Sequence, residues 1–238
     1  MIKMMILAPR RHGMTHTEFR SYVTEVHGPL VKSVEEVAAD IRHYHYNFPI
    51  ADALDPLFGH PIAGHLDIVT EAWFDSIEAQ LRNMEHPRYM QIIRPDEHRF
   101  ADGEAAVMHY AREIQVIDGE RSALKVFYFR RRKPGTSRDG FQRQWLEKFP
   151  AAISGNPEIV GAITGYVQNH VVSEAEIFDG TDPKYFDIID EFFVADLQKF
   201  AAAKEHNLSI TLVRRLEEAL LDSSRTQAFV AETVINIP

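Results

Sequence analysis

Residues 67–74 read DIVTEAWF, and residues 187–194 carry a close copy, DIIDEFFV. Each is a short apolar run of the kind that forms a buried β-strand. The match extends along the chain at a spacing of 120 residues, or of 122 residues towards the N-terminus. Further matched pairs are Gly13/Gly135, Phe19/Phe141, Tyr44/Tyr166, Asn47/Asn169 and Ile117/Ile237. We therefore predict two copies of one unit, with domains at residues 1–120 and 121–238.

Each half predicts the same order of elements: strand, helix, two strands, helix, strand. This is the ferredoxin-like β-α-β-β-α-β unit. Helices cover only one face of its antiparallel sheet, so the other face needs a cover. We expect each half to cover the sheet of the other. The predicted fold class is therefore α+β, with two fused ferredoxin-like units that form one α/β barrel within the chain.

Local signals place the first elements. Thr15 with Glu18 three residues later matches a capping box, so a helix should begin after Thr15. Gly28-Pro29 should interrupt this helix, because proline lacks the amide proton and clashes with the preceding turn. A later strand is predicted over His65–Phe74.

Composition excludes several classes of function. The chain of 238 residues has a net charge of −9, whereas nucleic-acid binding needs a basic surface. It has no cysteine, which removes disulfides and thiolate chemistry. No apolar run approaches the roughly 18–20 residues of a membrane span, so we expect a cytoplasmic protein. Nucleotide-binding glycine motifs and the serine-hydrolase elbow are also missing from the sequence. We expect a small-molecule substrate, no cofactor, no nucleic acid and no membrane, with a further homo-oligomer left open.

Histidine is distributed unevenly between the two halves. Of the 12 histidines, ten lie in the first half and two in the second. Residues that recur in both halves most simply serve the shared fold, whereas residues found in one half are better candidates for function. We therefore expect a polar, histidine-lined cavity in the first half only. In the second half Phe149 and Pro150 should fill the corresponding space.

His27 is the first catalytic candidate. It follows Phe19 and Val23 on an apolar helix stripe, next to the predicted helix break at Gly28. Free carbonyl groups at such a break would favour the charged imidazole, so its pKa could lie near neutral pH, as a general acid or base requires. The alternative is a histidine that only caps the break.

His43, His45 and His65 form a second catalytic group. Side chains on a strand alternate with period two, so His43 and His45 share one face, and His65 and Asp67 should share a face of the next strand. Three imidazoles and a carboxylate could converge there. The pattern leaves open proton transfer, a metal site and plain polar packing; we expect no metal, because no further ligand spacing supports one.

Further side chains are candidates for substrate binding. Tyr44, Asn47, Asp67 and Glu71 recur in the second half, which favours a role in the fold, although the carboxylates could shape a pocket beside a histidine. Aromatic side chains could line a cavity or belong to the core. The aromatic candidates are Tyr22, Tyr46, Trp73 and Phe74.

Three motifs in the first half resemble the EthD family, named for ethyl tert-butyl ether degradation. They are Phe19 and Tyr22 leading to His27-Gly28-Pro29-Leu30, the segment RHYHYN at residues 42–47, and Asp67 followed by Glu71-Ala72-Trp73-Phe74. This resemblance implies a tandem duplicated member of the dimeric α/β-barrel superfamily, with a degenerate second domain. The superfamily includes cofactor-free decarboxylases, lactone isomerases, polyketide cyclases, monooxygenases and haem enzymes.

The residues and the resemblance together predict a cofactor-independent acid/base enzyme. It would be an isomerase, a decarboxylase or other lyase, or a cyclase, acting on a small aromatic or lactone-type metabolite. His27 would be the base or acid, and His43, His45 or His65 would stabilise an enolate or carry the second proton. The alternatives are a metal- or haem-linked oxidoreductase and a non-catalytic ligand-binding accessory protein.

Overall fold

The computed structural model describes residues 1–50, 60–172, 185–203 and 208–237. The chain divides into two compact units. The first unit comprises Met1–Pro49, Gly64–Arg112 and Thr233–Pro238, and the second comprises Ile50–Ala63 and Glu113–Glu232. These bounds differ from a division at residue 120, because two long strands each pass from one unit to the other.

The first unit has a four-stranded antiparallel sheet in the order β4-β1-β3-β2. Its strands are β1 (Ile2–Ala8), β2 (His43–Pro49), β3 (Ile68–Phe74) and β4 (Val107–Ile117). Its helices are α1 (His16–Tyr22), α2 (Gly28–Ser33), α3 (Glu35–Ala38), α4 (Ile77–Glu85) and α5 (Arg94–Phe100). Two π-helical turns join them, Val23–His27 between α1 and α2, and Tyr89–Ile93 before α5.

The second unit repeats this order as β8-β5-β7-β6. Its strands are β5 (Leu124–Arg130), β6 (Ile163–Val171), β7 (Ile188–Val194) and β8 (Gln227–Ile237). Its helices are α6 (Arg138–Ser154), α7 (Pro157–Ala162), α8 (Leu197–Ala202) and α9 (Leu208–Leu220). The ferredoxin-like element order predicted for each half is therefore confirmed. A common origin of the halves and their closure into one barrel stay predictions.

The register of β1 against β3 determines what each sheet face carries. Met4 pairs with Ala72 and Ile6 with Thr70, and these side chains face the helices. Lys3, one residue before Met4, therefore points to the opposite face. There it forms a buried ion pair with Glu71, at 2.5 Å between Nζ and Oε1.

The predicted capping box at Thr15 is confirmed. The Glu18 amide donates to Thr15 Oγ1 at 3.2 Å, and the Thr15 amide donates to Glu18 Oε2 at 2.8 Å. The predicted break at Gly28-Pro29 is wrong. The chain continues through a π-helical turn in which the Gly28 amide donates to the Val23 carbonyl, five residues back. This wider turn accommodates Pro29, whose ring would clash with the carbonyl four residues back in a regular α-helix.

The second π-helical turn repeats the arrangement. The Arg94 amide donates to the Tyr89 carbonyl, and Pro95 follows directly. Single π-helical turns inside helices occur frequently at functional sites. Among the described residues, no helix has the length and apolarity needed to cross a membrane.

Candidate functional site

A cavity of about 280 Å³ lies in the first unit, between the sheet and the helices that cover it. The strands contribute small or apolar side chains, including Ile6, Ala8 and Thr70. Both π-helical turns contribute to its wall, through His27 and Tyr89. A largely apolar cavity with a few polar groups is the usual form of a small-molecule site.

His27 is buried and lines this cavity. Its Nδ1 lies 3.0 Å from Oδ2 of Asp96, which is also buried. The carboxylate accepts the Nδ1 proton, so Nε2 of the neutral ring keeps a free lone pair. Within the part of the chain that the structure describes, Nε2 has no hydrogen-bond partner. The ring also packs against Phe100, at 4.7 Å between centroids, which restricts its movement.

Burial lowers the pKa of His27 below its ordinary value of 6.5, although the hydrogen bond with Asp96 acts in the opposite direction. The imidazole is therefore neutral at neutral pH and can accept a proton at Nε2. The expectation that a helix break favours the charged ring is wrong, because the helix continues past Gly28 and leaves no free helix end at His27. The alternative role as a cap is wrong for the same reason.

Asp96 is held by more than His27. The hydroxyl of Tyr22 donates to Oδ1 of Asp96 at 2.6 Å, so both carboxylate oxygens are engaged. Burial raises the pKa of Tyr22, and the bond to Asp96 adds to this, so its hydroxyl keeps its proton. Tyr22 was predicted to bind substrate. It instead orients the carboxylate that orients His27, and it does not line the cavity.

Tyr44 and Tyr46 bring two hydroxyl groups to the cavity from β2. Their rings form an edge contact with centroids 4.9 Å apart. Burial raises the pKa of both phenols well above the ordinary value of 10. A hydrogen bond links the two hydroxyl groups, and it lowers the pKa of Tyr44 and raises that of Tyr46. Tyr44 can therefore act as a neutral hydrogen-bond donor.

The cavity opens to solvent beside α5. Arg94, His98 and Gly103 line it and are exposed. Next to them, Glu97 accepts from the Tyr89 hydroxyl at 2.7 Å and pairs with Arg94 at 3.0 Å. These contacts fix the polar groups at the opening.

The second unit has a filled core at the corresponding place. Where the first unit has His27, the equivalent residue is Phe149, which is fully buried and stacks on Trp145 at 4.5 Å. Ala8 and Thr70 correspond to Arg130 and Asp190. The equivalent positions form a buried ion pair, with 2.5 Å between Nε of the arginine and Oδ2 of the aspartate. Phe149 is buried there as predicted, whereas Pro150 lies inside α6 and is only half-buried. The remaining space is taken by the ion pair and not by apolar side chains alone.

His43 and His45 share one face of β2, as predicted, with ring centroids 6.4 Å apart. Both rings pack against Trp73, at 5.7 and 5.0 Å. This face is opposite to the one that carries Tyr44, so none of these three residues lines the cavity. The sequence pattern predicted that His43 and His45 share a face of β2, but it did not indicate which face of the strand meets the helices.

The predicted strand position of His65 is wrong. His65 lies in a turn and is exposed, and β3 begins at Ile68. It therefore cannot join His43 and His45 on neighbouring strands. Within the ranges that the structure describes, no group of three or more His, Cys, Asp or Glu residues could hold a metal ion.

Asn47, Asp67 and Glu71 do not line the cavity. Asn47 Nδ2 donates to Glu71 Oε2 at 2.9 Å, and the Arg10 amide donates to Asp67 Oδ2 at 2.8 Å. The second unit repeats both contacts. Asn169 donates to Glu191 at 3.3 Å, and the Arg132 amide donates to Asp187 at 2.8 Å. Contacts common to a unit with a cavity and a unit with a filled core favour the fold role over a pocket role.

Sequence reasoning missed Asp96, Glu97 and Tyr89. For Asp96 a signal was present, because the equivalent residue of the second half is Leu216. The same comparison that singled out His27 would therefore have found its partner. Glu97 recurs as Glu217, so the comparison would not have found it.

Residues 11–104 match the family model described as the EthD domain. The conidial pigment biosynthesis dehydratase EthD of Metarhizium robertsii is 29% identical over 107 residues, which cover 43% of this chain and 75% of that protein. The dehydratase ustZ of Ustilaginoidea virens is 27% identical over 107 residues, covering 43% of this chain and 76% of that protein.

Solved structures resemble the chain over nearly its whole length. An anthrone oxidase-like protein has a TM-score of 0.64 at 9% identity, over 98% of this chain and 91% of that one. A mutant chlorite dismutase from Candidatus Nitrospira defluvii has a TM-score of 0.50 at 12% identity, over 97% and 91%. At such identities the likeness concerns the fold alone.

Proposed function

Since residues 11–104 carry an EthD domain, we propose that the first unit is a cofactor-independent acid/base lyase, and specifically a dehydratase. Its substrate would be a small aromatic ketone with a hydroxyl group on the carbon β to the carbonyl. The observation that carries the proposal is the buried His27–Asp96 pair beside a largely apolar cavity. Both fungal relatives are named dehydratases, which supports the choice among lyases.

His27 is the general base. Nε2 takes a proton from the carbon next to the carbonyl, and Asp96 stabilises the imidazolium that forms. The electron pair moves to the carbonyl oxygen, where the Tyr44 hydroxyl donates a hydrogen bond to the enolate. The enolate then reforms the carbonyl and expels the β-hydroxyl group, which takes the proton back from Nε2. One water molecule leaves, and no redox partner is needed.

The apolar cavity suits this chemistry. Hydrogen bonds and charges act more strongly where water is excluded, so a single phenol donor can stabilise an enolate appreciably. Tyr46 and Phe100 offer ring surfaces against which an aromatic substrate can pack.

The test uses 3-hydroxy-1-tetralone, which loses water and forms the fluorescent 1-naphthol. The wild-type protein should release 1-naphthol, and His27→Gln should lower kcat/KM by about 10²–10⁴-fold, the usual contribution of a positioned base. His43→Gln is the comparison variant, because His43 lies on the opposite sheet face and should leave the rate unchanged. Loss of activity in H43Q with retention in H27Q would place the base among the strand histidines instead.

A further inference from the structure

Asn236, near the end of β8, lies in the first unit and is buried. Its side-chain amide reaches two parts of the site. Nδ2 lies 3.3 Å from the Gly28 carbonyl, directly after His27, and 3.4 Å from the Tyr46 hydroxyl. One amide therefore connects the π-helical turn that carries His27 with the tyrosine pair on β2.

The space around Gly28 indicates how closely this amide packs. A Cβ atom at residue 28 would lie 2.9 Å from Asn236 Oδ1 and 3.3 Å from the Val23 carbonyl oxygen. The backbone of Gly28 is ordinary right-handed helix, with φ of −58°. The missing side chain at Gly28 therefore leaves the space in which Asn236 approaches the turn.

A chain of hydrogen bonds leads from Asn236 to Tyr44. Asn236 donates to Tyr46, and a hydrogen bond links the hydroxyl groups of Tyr46 and Tyr44. When Tyr46 is the donor in that bond, the proton of Tyr44 remains for a ligand. Besides Tyr46, no residue in the described part of the chain accepts a hydrogen bond from Tyr44, which lines the cavity. Each hydroxyl that accepts one bond becomes a better donor in the next, since hydrogen bonds in a chain polarise one another.

The second unit lacks this chain of donors. Val116 stands at the position equivalent to Asn236 and packs against the core of that unit. Gln168 replaces Tyr46 and donates to Tyr166 at 2.9 Å, while Tyr166 donates to the buried Asp190 at 2.6 Å. The tyrosine proton there is taken by the protein itself. Among the described residues of the first unit, no carboxylate accepts the proton of Tyr44 in this way.

We propose that Asn236 is a positioning residue for the site, which holds Tyr46 and through it directs the Tyr44 proton to a carbonyl oxygen in the cavity. The role of Tyr44 in turnover rests on the proposed dehydratase function. A hydrogen bond from Tyr44 to the oxygen of a bound ketone does not depend on that function, so it can be tested separately.

The first experiment measures 3-hydroxy-1-tetralone turnover in Asn236→Leu, with Thr233→Val as the matched control. Thr233 lies on the same strand and donates to Asn47 at 2.7 Å, away from the cavity. N236L should lower kcat about tenfold with little change in KM, the scale of one lost hydrogen bond. It should cause no further loss in a Tyr44→Phe background, whereas losses that multiply would show independent roles and overturn the proposal.

If N236L folds poorly, Asn236→Asp provides a second variant, because aspartate has nearly the same size and shape as asparagine. Burial raises the pKa of a carboxyl group, so at low pH the neutral acid can still donate to Tyr46. At higher pH the carboxylate accepts from Tyr46 and reverses the chain. The kcat ratio of N236D to wild type should therefore fall as pH rises. A pH-independent ratio would contradict the proposal.

The second experiment needs no turnover. The carbonyl infrared band of bound 1-tetralone, which lacks the β-hydroxyl group, should shift to lower frequency in the wild type and in T233V. The shift should disappear in Y44F and weaken in N236L. A band that N236L leaves unchanged, or no bound ketone at millimolar concentration, would overturn the role of Asn236. If the band responds as expected while 3-hydroxy-1-tetralone is not dehydrated, the dehydratase proposal fails and this one stands.

Discussion

Nδ1 of His27 lies 3.0 Å from Oδ2 of Asp96, although 69 residues separate them along the chain. His27 ends one π-helical turn, and Asp96 lies in the first turn of the helix that follows the other. A proline comes early in the helix after each turn. The two turns therefore bring His27, which lines the cavity, within hydrogen-bond distance of Asp96.

Asp96→Asn should lower kcat/KM about as strongly as the loss of His27. An amide at this position can donate to Nδ1, which leaves the proton on Nε2 and removes the base. Asp75→Asn is the control, because Asp75 is exposed and pairs only with Arg42, at 2.5 Å, among the described residues. Steady-state rates on 3-hydroxy-1-tetralone, with thermal melts, measure the effect. An active D96N protein would show that the pair is structural.

The pH profile should report the neutral imidazole. Burial holds the pKa of His27 below 6.5, so kcat/KM should fall in acid and reach half of its maximum below pH 6.5. A half-maximal kcat/KM above pH 7 would assign the rate to another group. The free energy of unfolding should also fall as pH falls, because the unfolded chain binds the His27 proton more readily than the folded chain does. The wild type should lose stability relative to H27Q as pH falls below about 6.5.

Replacing His27 and Asp96 by the equivalent residues of the second unit should show how much their contact contributes to stability. His27→Phe alone, which introduces the side chain of the equivalent Phe149, should lower the free energy of unfolding by about 1–3 kcal/mol, because Asp96 loses a buried partner. Adding Asp96→Leu, which matches the equivalent Leu216, should restore much of that loss. Urea denaturation measures both values. Additive losses in the double variant would mean that the two side chains do not interact energetically.

Glu71→Gln tests whether Glu71, a predicted substrate-binding residue, serves the fold or the pocket. Its ion pair with Lys3 is buried on the face opposite the cavity, and removing one charge of such a pair costs about 3–5 kcal/mol. Stability should fall by that order while kcat of the folded protein stays unchanged. Intact stability with lost turnover would instead support the pocket role.

The fold was predictable because its signals are local and occur twice. The repeat around Asp67 and Asp187 gave the strand pairs, and Thr15 with Glu18 gave a helix start. Of the predicted candidates, His27 and Tyr44 line the cavity, whereas Asp96 and Asn236 were not among the candidates. Their contacts join elements far apart in sequence, which no local pattern encodes, and only the comparison of the two halves singles out these positions. The strand histidines His43 and His45 were misjudged because period two identifies a shared face without indicating which face meets the helices.

Hydrogen exchange at the carbon next to a ketone tests the central claim, that His27 is the base, without requiring dehydration. In D₂O, the wild-type protein should incorporate deuterium into 1-tetralone faster than buffer does, as followed by mass spectrometry. His27→Gln should reduce the protein-dependent rate by about 10²-fold or more, and His43→Gln should leave it unchanged. Exchange in H27Q at the wild-type rate, or no exchange above buffer in the wild type, would contradict the account.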